Sequence, residues 1–105
     1  MFQAIKNLLG FGPKVDLSKL ISSGAMILDV RSRAEYTSGH VKGSVNIPLD
    51  QLANNLNRLK SKEQAIITCC ASGMRSGSAK SYLKSQGYTS VHNGGSWQNV
   101  ARHTI

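Results

Sequence analysis

The chain has 105 residues and a formal net charge of +8, because 13 lysines and arginines outnumber 5 acidic residues. This length fits one domain with its own core, and the apolar fraction of 40% excludes a disordered chain. No stretch approaches the roughly 20 apolar residues that cross a bilayer, so we expect no integral membrane segment. The basic surface serves solubility or attracts small anions, and the charges are too scattered to predict a nucleic-acid partner.

Residues 1–13 predict an N-terminal extension ahead of one domain over residues 14–105. The apolar side chains of this extension recur at helical spacing, which predicts a short amphipathic helix: Phe2, Ile5, Leu8 and Leu9. The helix docks on the domain or, alternatively, contacts a membrane surface or a partner. Lys6 and Asn7 interrupt the apolar run, which argues against a secretory signal.

Strand and helix patterns alternate along the rest of the chain. Apolar, β-branched runs predict strands over 25–30, 45–47, 65–69 and 90–92. Helices are predicted over 17–23, 32–36, 50–59 and 76–86, with a last helical turn over 97–101. This alternation is typical of a parallel α/β sheet with helices on both faces.

The feature with the clearest chemistry is Cys70, which ends a predicted strand and opens a loop that leads into a helix. Unpaired amides and the helix dipole at such a helix start stabilise an anion, and they lower a thiol pKa from its usual value of about 8.5. We therefore predict that Cys70 is a nucleophile; alternatively, it is a small buried apolar residue. The loop is expected to hold a small anionic substrate through six residues: Ala71, Ser72, Gly73, Met74, Arg75 and Ser76. In this interpretation Arg75 adds positive charge, and Ser76 supplies a hydroxyl or caps the helix.

The neighbouring Cys69 points to the opposite sheet face, because successive strand residues alternate. We expect Cys69 to pack in the core; the alternative is a resolving thiol. Two free thiols favour a reducing compartment, so a cytoplasmic location is expected.

Several segments, in this order, resemble the rhodanese-like sulfurtransferases in their short single-domain form. Residues 28–31 (LDVR) are similar to the Asp-Val-Arg that ends a strand of that family, and residues 35–48 are similar to its Glu-Tyr…Gly-His…Asn-Ile-Pro signature. Residues 70–76 (CASGMRS) resemble its active-site loop, Cys-x-x-Gly-x-Arg-Ser. Residues 87–88 and 93–97 resemble its closing segments.

The resemblance implies a three-layer α/β fold with a central, mostly parallel five-stranded sheet and helices on both faces. It also implies a sulfurtransferase in which Cys70 takes a sulfane sulfur from an anionic donor such as thiosulfate, held as a persulfide by the amides of 71–75. Cyanide, a thiol or a protein then accepts the sulfur, and neither cofactor nor metal is expected. The six residues from Cys70 through Arg75 match the sulfur-handling branch, since related phosphatases have a loop one residue longer.

Three other functions remain open from the sequence: a non-enzymatic persulfide carrier or interaction module for a specific protein partner, a phosphatase-like enzyme, and a thiol redox protein that uses both cysteines. Asp29 and Arg31 are predicted to form a structural ion pair, or alternatively a substrate-side pair. His40 is predicted to be a hydrogen-bonded structural histidine rather than a general base. Trp97 is expected to pack in the core or to wall the pocket.

Overall fold

A computed structural model describes residues 15–104, so the N-terminal extension predicted over residues 1–13 lies outside the described residues. The elements in chain order are α1 (Leu17–Ser22), β1 (Met26–Asp29), α2 (Arg33–Ser38), β2 (Val45–Asn46), two 3₁₀ helices (Leu49–Asn54 and Leu56–Arg58), β3 (Ile66–Cys70), α3 (Met74–Ser85), β4 (Val91–Ser96) and α4 (Trp97–Arg102). Within the described part of the chain, every helix is too short or too polar to cross a membrane.

Four strands form one parallel sheet in the order β2-β1-β3-β4. The expectation of five strands is therefore wrong for residues 15–104. The fifth strand came from the family resemblance alone, whereas the sequence itself has four β-branched runs, and each of them forms a strand. The prediction of a parallel sheet with helices is confirmed.

Side chains that alternate along the strands create a core on each face of the sheet. Ile66 and Cys70 on β3 point towards α3 and the 3₁₀ helices, into a cluster that includes Leu28, Leu52, Leu59, Ala79, Leu83 and Val91. Ile67 and Cys69 point to the other face, towards α1 and α4, into a cluster with Leu17, Ile27, Val41 and Val100. The strand period of two residues thus assigns adjacent cysteines to different cores.

Helices α1 and α2 each begin at a residue whose side chain caps the helix. Asp16 accepts a hydrogen bond from the Lys19 amide (3.1 Å), as expected of an N-cap. Ser32 caps α2 by accepting from the Glu35 amide (3.2 Å), and the Glu35 carboxylate accepts from the Ser32 amide (3.1 Å). This reciprocal capping box fixes where Glu35 lies relative to the loop after β1.

The helix predicted over 50–59 is instead the pair of 3₁₀ helices. Asn55 interrupts the segment with an extended φ of −129°, and its amide side chain bonds the Gln51 carbonyl (2.7 Å), which competes with helical bonding. The leucines of this segment nevertheless face the core, as the sequence pattern predicts: Leu52, Leu56 and Leu59.

Two further boundaries differ from the predictions. Helix α3 begins at Met74, two residues early, because Gly73 adopts φ +106° and is its N-cap; Ser76 therefore does not cap the helix. Strand β4 continues to Ser96, past the predicted end at residue 92. A side chain at Gly94 has no room, since a Cβ there would lie 2.5 Å from Val100 Cγ2.

Candidate active site

Cys70 is the last residue of β3, and the four-residue step to Met74 brings the chain into α3. The carboxyl ends of all four parallel strands share this edge of the sheet, where ligands bind in such folds. Cys70 is buried, with 1% of its surface exposed. Its sulfur is therefore largely shielded from solvent.

The Cys70 sulfur accepts hydrogen bonds from the start of α3. The Gly73 amide lies 3.0 Å from Sγ, and the Ser76 amide lies 3.3 Å from it. The N-cap residue Gly73 has no side chain that could satisfy these helical amides. The sulfur therefore occupies the place that the oxygen of an N-cap side chain takes in other helices.

These contacts change the acidity of the Cys70 thiol. Burial alone raises its pKa, but hydrogen bonds from the Ser76 hydroxyl and from the amides of Ser76, Gly73 and Ser72 outweigh burial, so the pKa falls below that of an ordinary cysteine. The thiolate is the nucleophilic form of cysteine. The loop consequently holds a sulfur that is primed to act as a nucleophile.

The Ser76 hydroxyl lies between Cys70 and Asn93: it accepts from the Cys70 thiol and donates to the Asn93 side chain. Its Oγ is 3.4 Å from Cys70 Sγ and 2.6 Å from Asn93 Oδ1. Asn93 also accepts from the Gly95 amide (2.9 Å) and donates to the Gly73 carbonyl (3.1 Å). Asn93 thereby ties the loop and the start of α3 to strand β4.

The Arg75 side chain is engaged in an ion pair with Glu35. Its guanidinium forms a two-point ion pair with the Glu35 carboxylate, at 2.7 Å and 2.9 Å. The hydrogen bonds from Arg75 are the largest influence on Glu35 and lower its pKa to about 2. The groups that hydrogen-bond the Cys70 sulfur are therefore backbone amides and the Ser76 hydroxyl, not the Arg75 side chain.

The residues of the loop differ in their exposure. Ala71 and Ser72 are exposed, Gly73 is half-buried, and Ser76 is buried. Met74 projects into solvent with 82% of its surface exposed. Of the six loop residues, Gly73 and Ser76 contact the Cys70 sulfur, and the Ser72 amide also lowers its pKa.

Cys69 packs in the core on the other face of the sheet, as predicted. Burial raises the pKa of its thiol to about 12, and the nearby Asp29 adds to this effect. Because the two sulfurs face opposite sides of β3, the geometry disfavours a redox pair of Cys69 and Cys70.

Asp29 and Arg31 form the predicted ion pair, which is buried rather than exposed. Arg31 Nη2 lies 2.8 Å from Asp29 Oδ2, and the side chains are 5% and 0% exposed. Arg31 also donates to the Gly39 carbonyl (2.7 Å) and lies under the Trp97 ring, 5.1 Å from its centroid. This pair is structural, because it joins β1 to the end of α2.

Trp97 packs partly against the second core cluster, in line with the packing interpretation. His40 stacks on Tyr36, with ring centroids 3.8 Å apart, and its Nδ1 lies 2.8 Å from the Tyr36 carbonyl. Its contacts are those of the structural histidine that the sequence predicted.

Two residues with direct roles in this site were missed by sequence reasoning. Glu35 neutralises Arg75, and Asn93 competes for the Ser76 hydroxyl. The Ser-x-x-Glu pattern at 32–35 is a capping signature that could have placed Glu35 at a helix start. No local pattern predicts the Asn93 contact, because it depends on how β4 lies beside the loop.

A family model of the rhodanese-like domain matches residues 14–102. The thiosulfate sulfurtransferase PspE of Escherichia coli K12 is 35% identical over 75 residues, 70% of this chain and 72% of PspE. A human thiosulfate:glutathione sulfurtransferase is 30% identical over 92 residues, 74% of this chain and 80% of the human protein. The solved structure of a rhodanese with anions from E. coli matches with a TM-score of 0.70 at 33% identity, covering 74% of this chain and 93% of that one.

The chain therefore belongs to the rhodanese-like domain family, as the sequence motifs indicated. The relatives named as thiosulfate sulfurtransferases place it with the rhodanese-type transferases of that family.

Proposed function

We propose that this protein is a sulfurtransferase that moves a sulfane sulfur from a small anionic donor to a thiophilic acceptor through a persulfide on Cys70. The observation that carries the proposal is the set of hydrogen bonds from Gly73 and Ser76 to Cys70 Sγ. They stabilise a thiolate at the end of β3, and the same donors can stabilise the terminal sulfur of a persulfide.

With thiosulfate as donor, the reaction consists of two displacements at sulfur. The Cys70 thiolate attacks the outer sulfur; a new S–S bond forms, and the S–S bond of thiosulfate breaks as sulfite leaves with the electron pair. Cyanide then attacks the terminal sulfur of the persulfide, thiocyanate leaves, and the thiolate returns. Neither displacement moves a proton, so the site needs no general base, in keeping with the structural role of His40.

The charge of the loop bears on the choice of donor. Arg75 is paired with Glu35, and Ala71 and Met74 are neutral, so only amides and one hydroxyl attract a dianion. We expect weak thiosulfate binding, and therefore a high KM for this donor.

The exposed Met74 favours a second function, that of a persulfide carrier for a protein partner. An apolar, flexible side chain at the mouth of a reactive site is suited to contact with another protein. Such a carrier loads sulfur from thiosulfate but turns over poorly with cyanide.

The test is intact mass after incubation with thiosulfate. The expected result is a gain of one sulfur atom that cyanide reverses, that persists in Cys69→Ser and that is absent in Cys70→Ser. Steady-state turnover with thiosulfate and cyanide then separates the enzyme from the carrier. A wild-type protein that never gains sulfur contradicts the proposal.

A further inference from the structure

A cleft lies between helix α2 and the edge strand β2. We call it the α2–β2 cleft; its volume is about 510 Å³, a size that accommodates small organic ligands. Its walls include Arg33, Tyr36, Thr37, His40, Asn46 and Arg58. None of its lining residues belongs to the loop over 70–76, so the cleft is separate from the candidate active site.

The charge of the α2–β2 cleft is positive and uncompensated. Arg33 and Arg58 line it, no acidic residue does, and neither arginine forms an ion pair with any residue in the range 15–104. Arg58 donates to the Asn46 carbonyl (3.2 Å), which holds its guanidinium at the cleft and leaves further N–H donors for a ligand. Guanidinium groups bind phosphate and carboxylate oxygens through parallel hydrogen bonds, so the cleft favours an oxyanion.

Two aromatic rings form a rigid platform in the same cleft. The rings of Tyr36 and His40 are stacked, with centroids 3.8 Å apart and planes at 11°. Both rings are tied to the backbone, because the Tyr36 hydroxyl donates to the Ser44 carbonyl (2.8 Å) and His40 Nδ1 donates to the Tyr36 carbonyl (2.8 Å). His40 is exposed, so the ring face turned away from Tyr36 is open to a planar group. A ring that is already held in place loses little conformational entropy when a ligand stacks on it.

The same hydrogen bonds argue against an extended peptide as the occupant of the α2–β2 cleft. A peptide that adds to an edge strand bonds the backbone groups of that strand. At the edge of β2 the Ser44 carbonyl already accepts from Tyr36, and the Asn46 carbonyl already accepts from Arg58. The ligand that fits is therefore one recognised by its charge and by a flat ring rather than by an extended backbone.

We propose that the α2–β2 cleft binds a nucleoside monophosphate. The phosphate pairs with Arg33 and Arg58, and the base stacks on the open face of the His40 ring, as bases stack on aromatic side chains in other proteins. A simple inorganic or carboxylate anion would use the arginines and leave the stacked rings without a role. The inference stands apart from the proposed sulfur transfer, because no step at Cys70 uses this cleft.

The test titrates the full chain with two probes and follows its amide resonances. The probes are adenosine monophosphate and ribose 5-phosphate, which carries the same phosphate but no base. Adenosine monophosphate is expected to bind about tenfold more tightly, because stacking of the base on a protein ring contributes on that order. Equal affinities for the two probes overturn the proposal.

Arg33→Gln/Arg58→Gln tests the phosphate contact. This variant is expected to bind adenosine monophosphate about tenfold more weakly than the wild type, as the loss of two exposed ion pairs allows. It is expected to weaken ribose 5-phosphate by the same factor, because both probes present the same phosphate.

The matched control is Lys19→Gln/Lys84→Gln, which removes the same charge from exposed positions on α1 and near the end of α3. It is expected to bind both probes as the wild type does. An equal loss in the control would mean that the probes follow the net charge of the chain, and it would overturn the proposal.

His40→Ala tests the stacking contact. Its affinity for adenosine monophosphate is expected to fall to that for ribose 5-phosphate, whereas His40→Phe, which keeps a ring at this position, should retain the preference for the nucleotide. Loss of the preference in both variants, or in neither, contradicts the stacking. Where His40→Ala does not fold, His40→Phe and the arginine variant decide.

The position of the shifted resonances separates this cleft from the loop at Cys70. Adenosine monophosphate is expected to shift amide resonances of residues 33–46, and to do so equally in Cys70→Ser. Shifts confined to residues 71–76 would place the phosphate on the amides of that loop and overturn the proposal, whether or not the protein loads sulfur. A single-stranded hexanucleotide that binds far more tightly than the mononucleotide would also overturn it, in favour of a nucleic-acid surface.

Discussion

The Ser76 hydroxyl donates to Asn93 Oδ1 (2.6 Å) and accepts from the Cys70 thiol (3.4 Å), so ionisation of Cys70 makes its sulfur a second acceptor for the same hydroxyl proton. When the hydroxyl donates to the sulfur it stabilises the thiolate, and when it donates to Asn93 it does not. We therefore expect the acidity of Cys70 to depend on Asn93 in β4, which hydrogen-bonds Ser76.

Ser76→Ala is expected to raise the pKa of Cys70, because it removes the hydroxyl that favours the thiolate. A hydrogen bond to a charged group is worth about 1.5 kcal/mol, which corresponds to about a tenfold smaller ionisation constant of the thiol. The measurement is the rate of iodoacetamide modification from pH 5 to 10. The rate follows the thiolate, so its midpoint should move to higher pH in this variant, and an unmoved midpoint contradicts the role of the hydroxyl.

Asn93→Ala is expected to act in the opposite direction. Without Asn93 Oδ1 the Ser76 hydroxyl is free to donate to the sulfur, so the pKa of Cys70 falls and the alkylation midpoint moves to lower pH. An upward shift would mean that the Asn93 bond to the Gly73 carbonyl matters more, through the shape of the loop.

Cys69 is expected to stay unmodified in the folded protein. Its thiol is buried, and its pKa of about 12 keeps it protonated at pH 8.5. Mass spectrometry after brief alkylation at that pH should find a single modified thiol, at Cys70. Cys69→Ala should retain sulfur loading, and loss of loading in that variant would restore the redox hypothesis.

Glu35→Gln tests the ion pair with Arg75. The neutral amide can still serve the capping box, so the variant isolates the charge. The pKa of Glu35 is lowered to about 2, so the pair stabilises the fold above the usual glutamate pKa and this stabilisation is lost as pH falls towards 2. Urea unfolding should show a loss of about 1 kcal/mol at pH 6 and almost none at pH 2; an equal loss at both values would contradict the assignment.

Gly94→Ala is expected to lower the free energy of unfolding by about 2 kcal/mol, because the new methyl group overlaps Val100 and Ile67. Gly43→Ala is the comparison, since a Cβ there meets nothing within 4 Å and only its φ of +84° carries a cost, about 1 kcal/mol. Denaturant midpoints should rank the Gly94 variant as the less stable of the two.

The sequence predicted the parallel sheet, the two buried faces of that sheet and the strand–loop–helix unit at Cys70. Each of these features depends on residue patterns within short stretches of the chain. Alternation separated Cys69 from Cys70, and the Ser32 cap followed from its residue type. The break at Asn55 could not be predicted, because the leucine spacing of this segment fits one continuous helix as well as it fits two 3₁₀ helices. The ion pair of Arg75 with Glu35 could not be predicted, because Glu35 lies 40 residues away in the chain.

The sulfur of Cys70 also holds the first turn of a twelve-residue helix in place. The reactivity of this sulfur and the thermal stability of the fold consequently both depend on the ionisation of the Cys70 thiol. The Cys70 thiol is more acidic in the folded chain than in the unfolded one. Raising the pH from the folded-state pKa of this thiol to its unfolded-state pKa should therefore raise the melting temperature, and alkylation of the sulfur should abolish this increase. The melting temperature measured by calorimetry can thus report the ionisation state of the Cys70 thiol without any substrate.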